Sequence, residues 1–201
     1  MHRYQVLIEY VGTNFIGWQI QSNGKSIQKS IQTKFSKILK EKISLVGSGR
    51  TDSGVHAIEQ SAHFDCKKEI LNLDKFLKSV NHFVNDMSIS IIGIKKKKLN
   101  FHARFSAKQR IYKYIIYNRL SKPSIEKERG WHIIKELDIF LMKKGAKKLL
   151  GTKDFSTFRS SSCNAKSPIR TMKAIKIKSI KGRVEIQFKS QSFLQQQVRS
   201  M

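Results

Sequence analysis

Residues 26–47 read Ser-Ile-Gln-Lys-Ser-Ile-Gln-Thr-Lys-Phe-Ser-Lys-Ile-Leu-Lys-Glu-Lys-Ile-Ser-Leu-Val-Gly. Ile27, Ile31, Phe35, Ile38 and Leu39 fall on one face at helical spacing, with polar residues between them. Ser26 stands just before the first apolar residue, where its hydroxyl can satisfy a free N–H of the first turn. Ile43 to Gly47 is then a short apolar strand ending at glycine. A helix feeding a strand sets the frame, and the neighbouring segments extend it both ways. Upstream, Tyr4 to Tyr10 alternates, with Val6, Ile8 and Tyr10 on one side, and reads as a strand. Downstream, Gln60 to Asp65 is a second short strand. Asn72 or Asp74 can cap a helix with Phe76, Leu77, Val80, Phe83 and Val84 on one face, and Ser88 to Ile94 is a β-branched strand.

This order, β-α-β-β-α-β, is the ferredoxin-like arrangement. The charged run Lys95 to Lys98 reads as the exposed exit from its last strand. The domain boundary falls just beyond, giving residues 1–105 and 106–201. The second half begins again with a strand, Arg110 to Asn118, in which Tyr112, Tyr114 and Ile116 share a face. A helix is predicted over Leu137 to Leu150, carrying Leu137, Phe140, Leu141 and Leu149, with Gly151 as its stop. A long loop, Thr152 to Arg170, precedes a hairpin whose strands, from Met172 to Ile180 and through Val184, Ile186 and Phe188, flank a Lys181-Gly182 turn. Ser192 is read as the cap of a helix with Phe193, Leu194, Val198 and Met201 on one face. The half is thus β-α-β-β-α, one strand short of the first, and its last helix reads as interrupted, so a truncated chain is expected. The expected class is α+β: two ferredoxin-like, RNP-like halves with antiparallel sheets flanking a basic cleft, the second incomplete.

The chain has 201 residues, with 40 Lys+Arg against 14 Asp+Glu, a net charge of +26. That points to an acidic partner, most commonly nucleic acid. Thirty of the 40 basic residues are lysine and isoleucine is abundant, so compositional drift accounts for the same excess. A 39% hydrophobic content and only two prolines argue against disorder. No apolar run approaches about 18 residues, so no membrane helix is expected, and Met1 to Tyr10 lacks a signal-peptide core. Cys66 and Cys163 form no CxxC and the six histidines are scattered, so no metal site is expected. Two unpaired thiols fit a reducing compartment, the cytoplasm. Neither phosphate-binding glycine motif is present, which leaves a nucleotide cofactor without support.

The most informative stretch is Gly47-Ser48-Gly49-Arg50-Thr51-Asp52-Ser53-Gly54-Val55-His56-Ala57. Its glycines allow close backbone approach and unusual dihedrals. Asp52 has two readings: a turn residue that caps the following chain and pairs with Arg50, or a fixed carboxylate kept ionised by surrounding positive charge, able to act as nucleophile or base.

Residues Gly49 to Ala57 resemble the signature of the tRNA pseudouridine synthase A family, with Ser53 the one departure, small for small. Tyr10, Gly12, Phe15, Gly17, Trp18, Gln19 and Gln21, followed by Ser26-Ile27-Gln28, are similar to a second block. Phe101 to Ala107 with Tyr112 to Asn118 are similar to a third; Phe155, Phe158, Pro168 and Arg170 to a weaker fourth; Phe193, Val198 and Arg199 to a last. The last block departs in Gln195-Gln196-Gln197 and in Ser200, and Ile111 stands where a basic residue is common. The family also continues beyond this length.

The resemblance implies an isomerase that turns uridine into pseudouridine in the tRNA anticodon arm, at tRNA positions 38 to 40, as a homodimer without metal or cofactor. It implies that Asp52 is the catalytic nucleophile, although attack on the sugar, addition to the base and removal of a C2′ proton all remain open. It implies that Tyr112 contacts the uracil, and that Arg199 meets the catalytic carboxylate. Arg50 is either a charge partner for Asp52 or a phosphate contact. Phe15 and Trp18 are RNA contacts or core residues. His102 and Arg104 either contact phosphate or pin the second domain. Two readings compete with the enzyme: an inactive truncated remnant that retains only RNA binding, and a general basic RNA- or ribosome-associated protein.

Overall fold

A computed structural model describes residues 1–201. The backbone divides into two compact units, Met1–Ala107 and Lys108–Met201.

In the first unit the apolar alternation and the helical stripe meet across one sheet face. Its elements are β1 (His2–Tyr10), α1 (Ile27–Leu39), β2 (Leu45–Gly47), β3 (Ala57–Cys66), α2 (Leu73–Val84) and β4 (Ile89–Lys97). The sheet order is β2-β3-β1-β4 with every pairing antiparallel, as the ferredoxin-like order requires. Tyr4, Val6, Ile8 and Tyr10 of β1 are buried in one cluster with Ile27, Ile31 and Phe35 of α1 and with Phe76, Val80 and Val84 of α2. The Phe35 ring meets Phe64 and Phe76 edge-on at 4.9 and 5.5 Å, a favoured aromatic geometry. Ser26 and Asn72 cap the two helices, accepting from the N–H groups of Lys29 and Lys75. Gln28, Gln32 and Ser36 lie one turn apart on α1 and dock the next segment: Gln28 donates to the Leu45 carbonyl, while Gln32 and Ser36 accept from the N–H groups of Leu45 and Ile43. Side chains thereby supply the ladder partners that so short a strand lacks.

The strands run longer than their apolar cores. Lys95–Lys97 belong to β4, paired with Arg3–Gln5 of β1, rather than to an exit loop. Lys96 forms an ion pair with Glu69. Backbone pairing with a central strand outweighs lysine's poor strand propensity.

The second unit comprises β5 (Arg110–Asn118), β6 (Trp131–Ile133), α3 (Ile139–Lys148), β7 (Gly151–Asp154), β8 (Ile169–Ile180), β9 (Arg183–Ser190) and α4 (Gln197–Ser200). The sheet order is β6-β5-β9-β8-β7. The run β5-β9-β8 repeats the β1-β3-β2 order of the first unit. The place that β4 takes beside β1 is taken beside β5 by three-residue β6, parallel to it. Lys181 and Gly182, with φ of +46° and +74°, make the tight turn between β8 and β9, the handedness that hairpin twist favours.

The second unit departs from the sequence expectation in three places. The long loop after α3 contains an added edge strand, β7, antiparallel to β8. The helix α3 forms within the expected span, capped by Asp138, but its apolar residues Phe140 and Leu141 are 75% and 57% exposed. The final helix begins only at Gln197 instead of after Ser192. Leu194 is drawn into the core beside Phe155, Met172 and Phe188, and Gln196 takes φ of +60°, which no continuous helix contains. The Gln197 side chain then accepts from the Leu194 N–H at 2.8 Å.

Candidate active site

Between Gly47, where β2 ends, and Ala57, where β3 begins, the chain leaves the sheet, and its backbone groups need other partners. The Ser48 N–H donates to the Ser61 carbonyl at 2.8 Å, and the Gln60 amide donates to the Gly49 carbonyl at 2.5 Å. From Thr51 onward most partners come from the end of β1 and the loop after it. The Thr51 carbonyl accepts from the Trp18 N–H at 3.0 Å, and its hydroxyl shares a hydrogen bond of 2.9 Å with the Tyr10 hydroxyl. The Phe15 carbonyl accepts from the Ser53 hydroxyl at 3.2 Å and from the Gly54 N–H at 3.4 Å. The Val55 N–H closes a turn onto the Asp52 carbonyl at 3.2 Å, with Gly54 at φ +76°. The Gly12 N–H donates to His56 Nδ1 at 3.0 Å.

Two glycines allow the approach. A Cβ on Gly12 would lie 2.0 Å from the Val55 carbonyl oxygen, and one on Gly17 would lie 2.6 Å from the Thr51 carbonyl oxygen. Gly17 also holds φ of +113°, a region side chains rarely enter.

Asp52 sits in the middle of these ties. Its neighbours on both sides are fixed, while its own half-buried carboxylate carries no hydrogen bond or ion pair within its unit. A fixed backbone carrying an unengaged carboxylate is an arrangement that a nucleophile can use. Arg50 is exposed and makes no ion pair with Asp52, so the turn-pair reading of these two residues fails.

Phe15 and Trp18 are 3% and 2% exposed. Of their two readings, core packing is the one the structure shows. The Trp18 ring lies against Tyr10 at 6.1 Å, and a Cβ on Gly47 would strike it at 2.6 Å. They form the floor under the Asp52 loop. Sequence reasoning did not reach Tyr10, Gly12, Gly17, Thr51 and His56 as a scaffold. Their signals were the glycine spacing after β1 and their places in the family-like blocks, neither of which shows that they touch.

His102 and Arg104 lie in a loop fastened to the same sheet. Arg3 donates bidentately to Asp65 at 2.7 Å for each bond, and also to the Leu99 and Phe101 carbonyls at 2.6 and 2.7 Å. His63 Nδ1 accepts from the Ala103 N–H at 3.1 Å. His102 is half-buried with its ring 4.8 Å from that of His63, and Arg104 is exposed. Burial away from water, with the Arg3 charge and His102 adding to it, lowers the His63 pKa below its ordinary 6.5. The Arg3 hydrogen bond lowers that of Asp65 below 3.8.

The unfolded chain therefore takes up a proton at His63 before the folded one does. Stability from this group is complete above about pH 6.5 and declines as pH falls through the lower folded value. Asp65 acts in the same direction, its contribution being lost further down as the carboxylate protonates. Below pH 6.5 the melting temperature of the wild type should fall more steeply than that of a His63→Asn variant. Parallel curves would remove His63 from this account.

In the second unit, Tyr112 lies on β5 opposite Phe188 of β9, with its ring edge-on to Phe193 at 5.0 Å. The tyrosine is half-buried, held at a fixed angle with part of its surface accessible. Arg199 is exposed on α4. No helix in the chain is long and apolar enough to cross a membrane.

The sequence model of a protein family described as tRNA pseudouridine synthase matches residues 6–106 and 146–201. The chain is 81% identical, over all 201 of its residues and 82% of the relative's length, to tRNA pseudouridine synthase A of Pelagibacter ubique strain HTCC1062. It is 42% identical over its whole length, and 80% of theirs, to proteins of the same name from Brucella ovis and Brucella melitensis biotype 2.

Proposed function

The chain belongs to the tRNA pseudouridine synthase family, and from that premise we propose that it isomerises uridine to pseudouridine in the anticodon arm of tRNA with Asp52 as its nucleophile. The observation that carries the assignment is the unengaged Asp52 carboxylate on a loop whose backbone is bonded on both sides.

The reaction breaks the N1–C1′ bond, turns the base, and joins C5 to C1′. The C5 proton is lost and N1 gains one, so substrate and product are isomers and no external reagent is consumed. One oriented carboxylate suffices for the bond exchange. Tyr112 contacts the uracil: a phenol braced edge-on by Phe193 offers an aromatic surface for stacking and a hydroxyl for hydrogen bonding. Exposed Arg50 serves as a phosphate contact, since it is free of Asp52 and suited to bidentate phosphate geometry. Arg199 is assigned a supporting role on the strength of the family motif alone.

The net charge of +26 supports affinity for the tRNA backbone that weakens with salt. A tRNA substrate and two free thiols, Cys66 and Cys163, support a cytoplasmic location. The family resemblance supports a homodimer.

Tritium release tests the reaction, because C5 loses its hydrogen only when it joins the sugar. With tRNA labelled at uridine C5, the protein should liberate tritium to water, and the rate should fall as salt is raised. Absence of release from a folded, tRNA-binding protein would favour the RNA-binding remnant instead.

A further inference from the structure

The loop that carries His102 and Arg104 also presents a side chain that neither the core nor the Asp52 loop uses. Phe105 is 76% exposed, although the backbone around it is firmly tied. Besides the Arg3 and His63 bonds, the His102 N–H donates to the Ser106 hydroxyl at 3.0 Å and the Ser106 N–H returns to the His102 carbonyl at 2.7 Å. The Arg104 N–H donates to His102 Nδ1 at 3.2 Å. A loop so constrained holds the ring at a fixed place facing water, where burial under a ligand would be favourable. The His102 ring lies 4.4 Å away and the Arg104 guanidinium 5.7 Å from the ring centre.

We propose that Phe105 and Arg104 form a platform on which an unpaired base of bound RNA stacks, with Arg104 meeting the adjoining phosphate. This inference rests on the tRNA reading above. A nucleotide combines a flat apolar base with an anion, and the loop combines an exposed aromatic ring with a guanidinium. Pre-ordering lowers the entropy lost on binding, and stacking accepts any base because each has a π-face. A second copy of this chain fits less well at this loop, because it offers few anionic groups to the Arg104 guanidinium, with 14 Asp+Glu against 40 Lys+Arg.

The test compares Phe105→Ala, Phe105→Trp and Arg104→Ala for binding to tRNA. Phe105→Ala should weaken binding roughly 5- to 100-fold at fixed salt and leave the slope of log affinity against log salt unchanged. Arg104→Ala should reduce that slope by about one. Phe105→Trp should restore affinity, and in a Trp131→Phe background its indole emission should be quenched by tRNA, because the other tryptophan, Trp18, is buried. Binding by Phe105→Ala within about twofold of wild type, or an introduced indole that tRNA does not quench, overturns the proposal. So does a loss of affinity that accompanies a changed oligomeric state in light scattering, which would assign the ring to a contact between copies. A wild type that binds no tRNA would instead fail the functional reading itself, and this inference with it.

Discussion

Asp52→Asn should slow pseudouridine formation on the order of 10³-fold or more while leaving tRNA affinity within a few-fold. Asparagine has nearly the shape of aspartate. The bonds that hold the loop run through the Thr51 carbonyl and hydroxyl, the Ser53 hydroxyl, and the backbone of Asp52, Gly54 and Val55, none of which the change removes. What disappears is the anion. Removing one negative charge from a chain of net +26 gives no reason for weaker RNA binding. Single-turnover tritium release beside equilibrium tRNA binding separates the two effects. A variant that kept a tenth or so of the wild-type rate would show that the carboxylate is not the reacting group.

Gly12→Ala should be the most damaging small substitution in the first unit. The added methyl would lie 2.0 Å from the Val55 oxygen and 2.6 Å from its carbon. Both are backbone atoms, so no rotamer change relieves the overlap. The Gly12 N–H is meanwhile bonded to His56, which holds the two segments together at the point of conflict. The backbone must separate there, and the Asp52 turn, closed onto the same Val55, moves with it. A loss of about 3 kcal/mol is expected, read as a melting temperature lower by roughly 10 °C together with a reduced turnover. Gly145→Ala is the control: that methyl meets nothing within 4 Å and improves helix propensity in α3. Equal stability of Gly12→Ala and the wild type would mean that the two loops are not coupled as described.

The first unit was legible because its signals agree with one another. Ser26 caps, Ile27 to Leu39 forms the stripe, and Tyr4 to Tyr10 alternates. The second unit gave weaker signals at its edges. Three-residue β6 and four-residue β7 contain no buried residue, and without a buried face a strand leaves no alternation in the sequence. Phe193, Leu194, Val198 and Met201 do have helical spacing. An extended segment places Phe193 against Tyr112 and Leu194 in the core equally well, however, and tertiary packing decided between them. Asp52 stood out through its glycines and its single negative charge. The scaffold beneath it did not, since a tyrosine–threonine bond spanning 41 residues is a product of the fold.

The activity proposed for this chain is pseudouridine formation in tRNA. Its most direct measurement is base-resolved pseudouridine mapping of bulk, unmodified tRNA after incubation with the purified protein. New pseudouridine confined to the anticodon arm, and none with Asp52→Asn, is the expected result. Unchanged uridine throughout the tRNA, from a folded protein that binds it, would contradict the account.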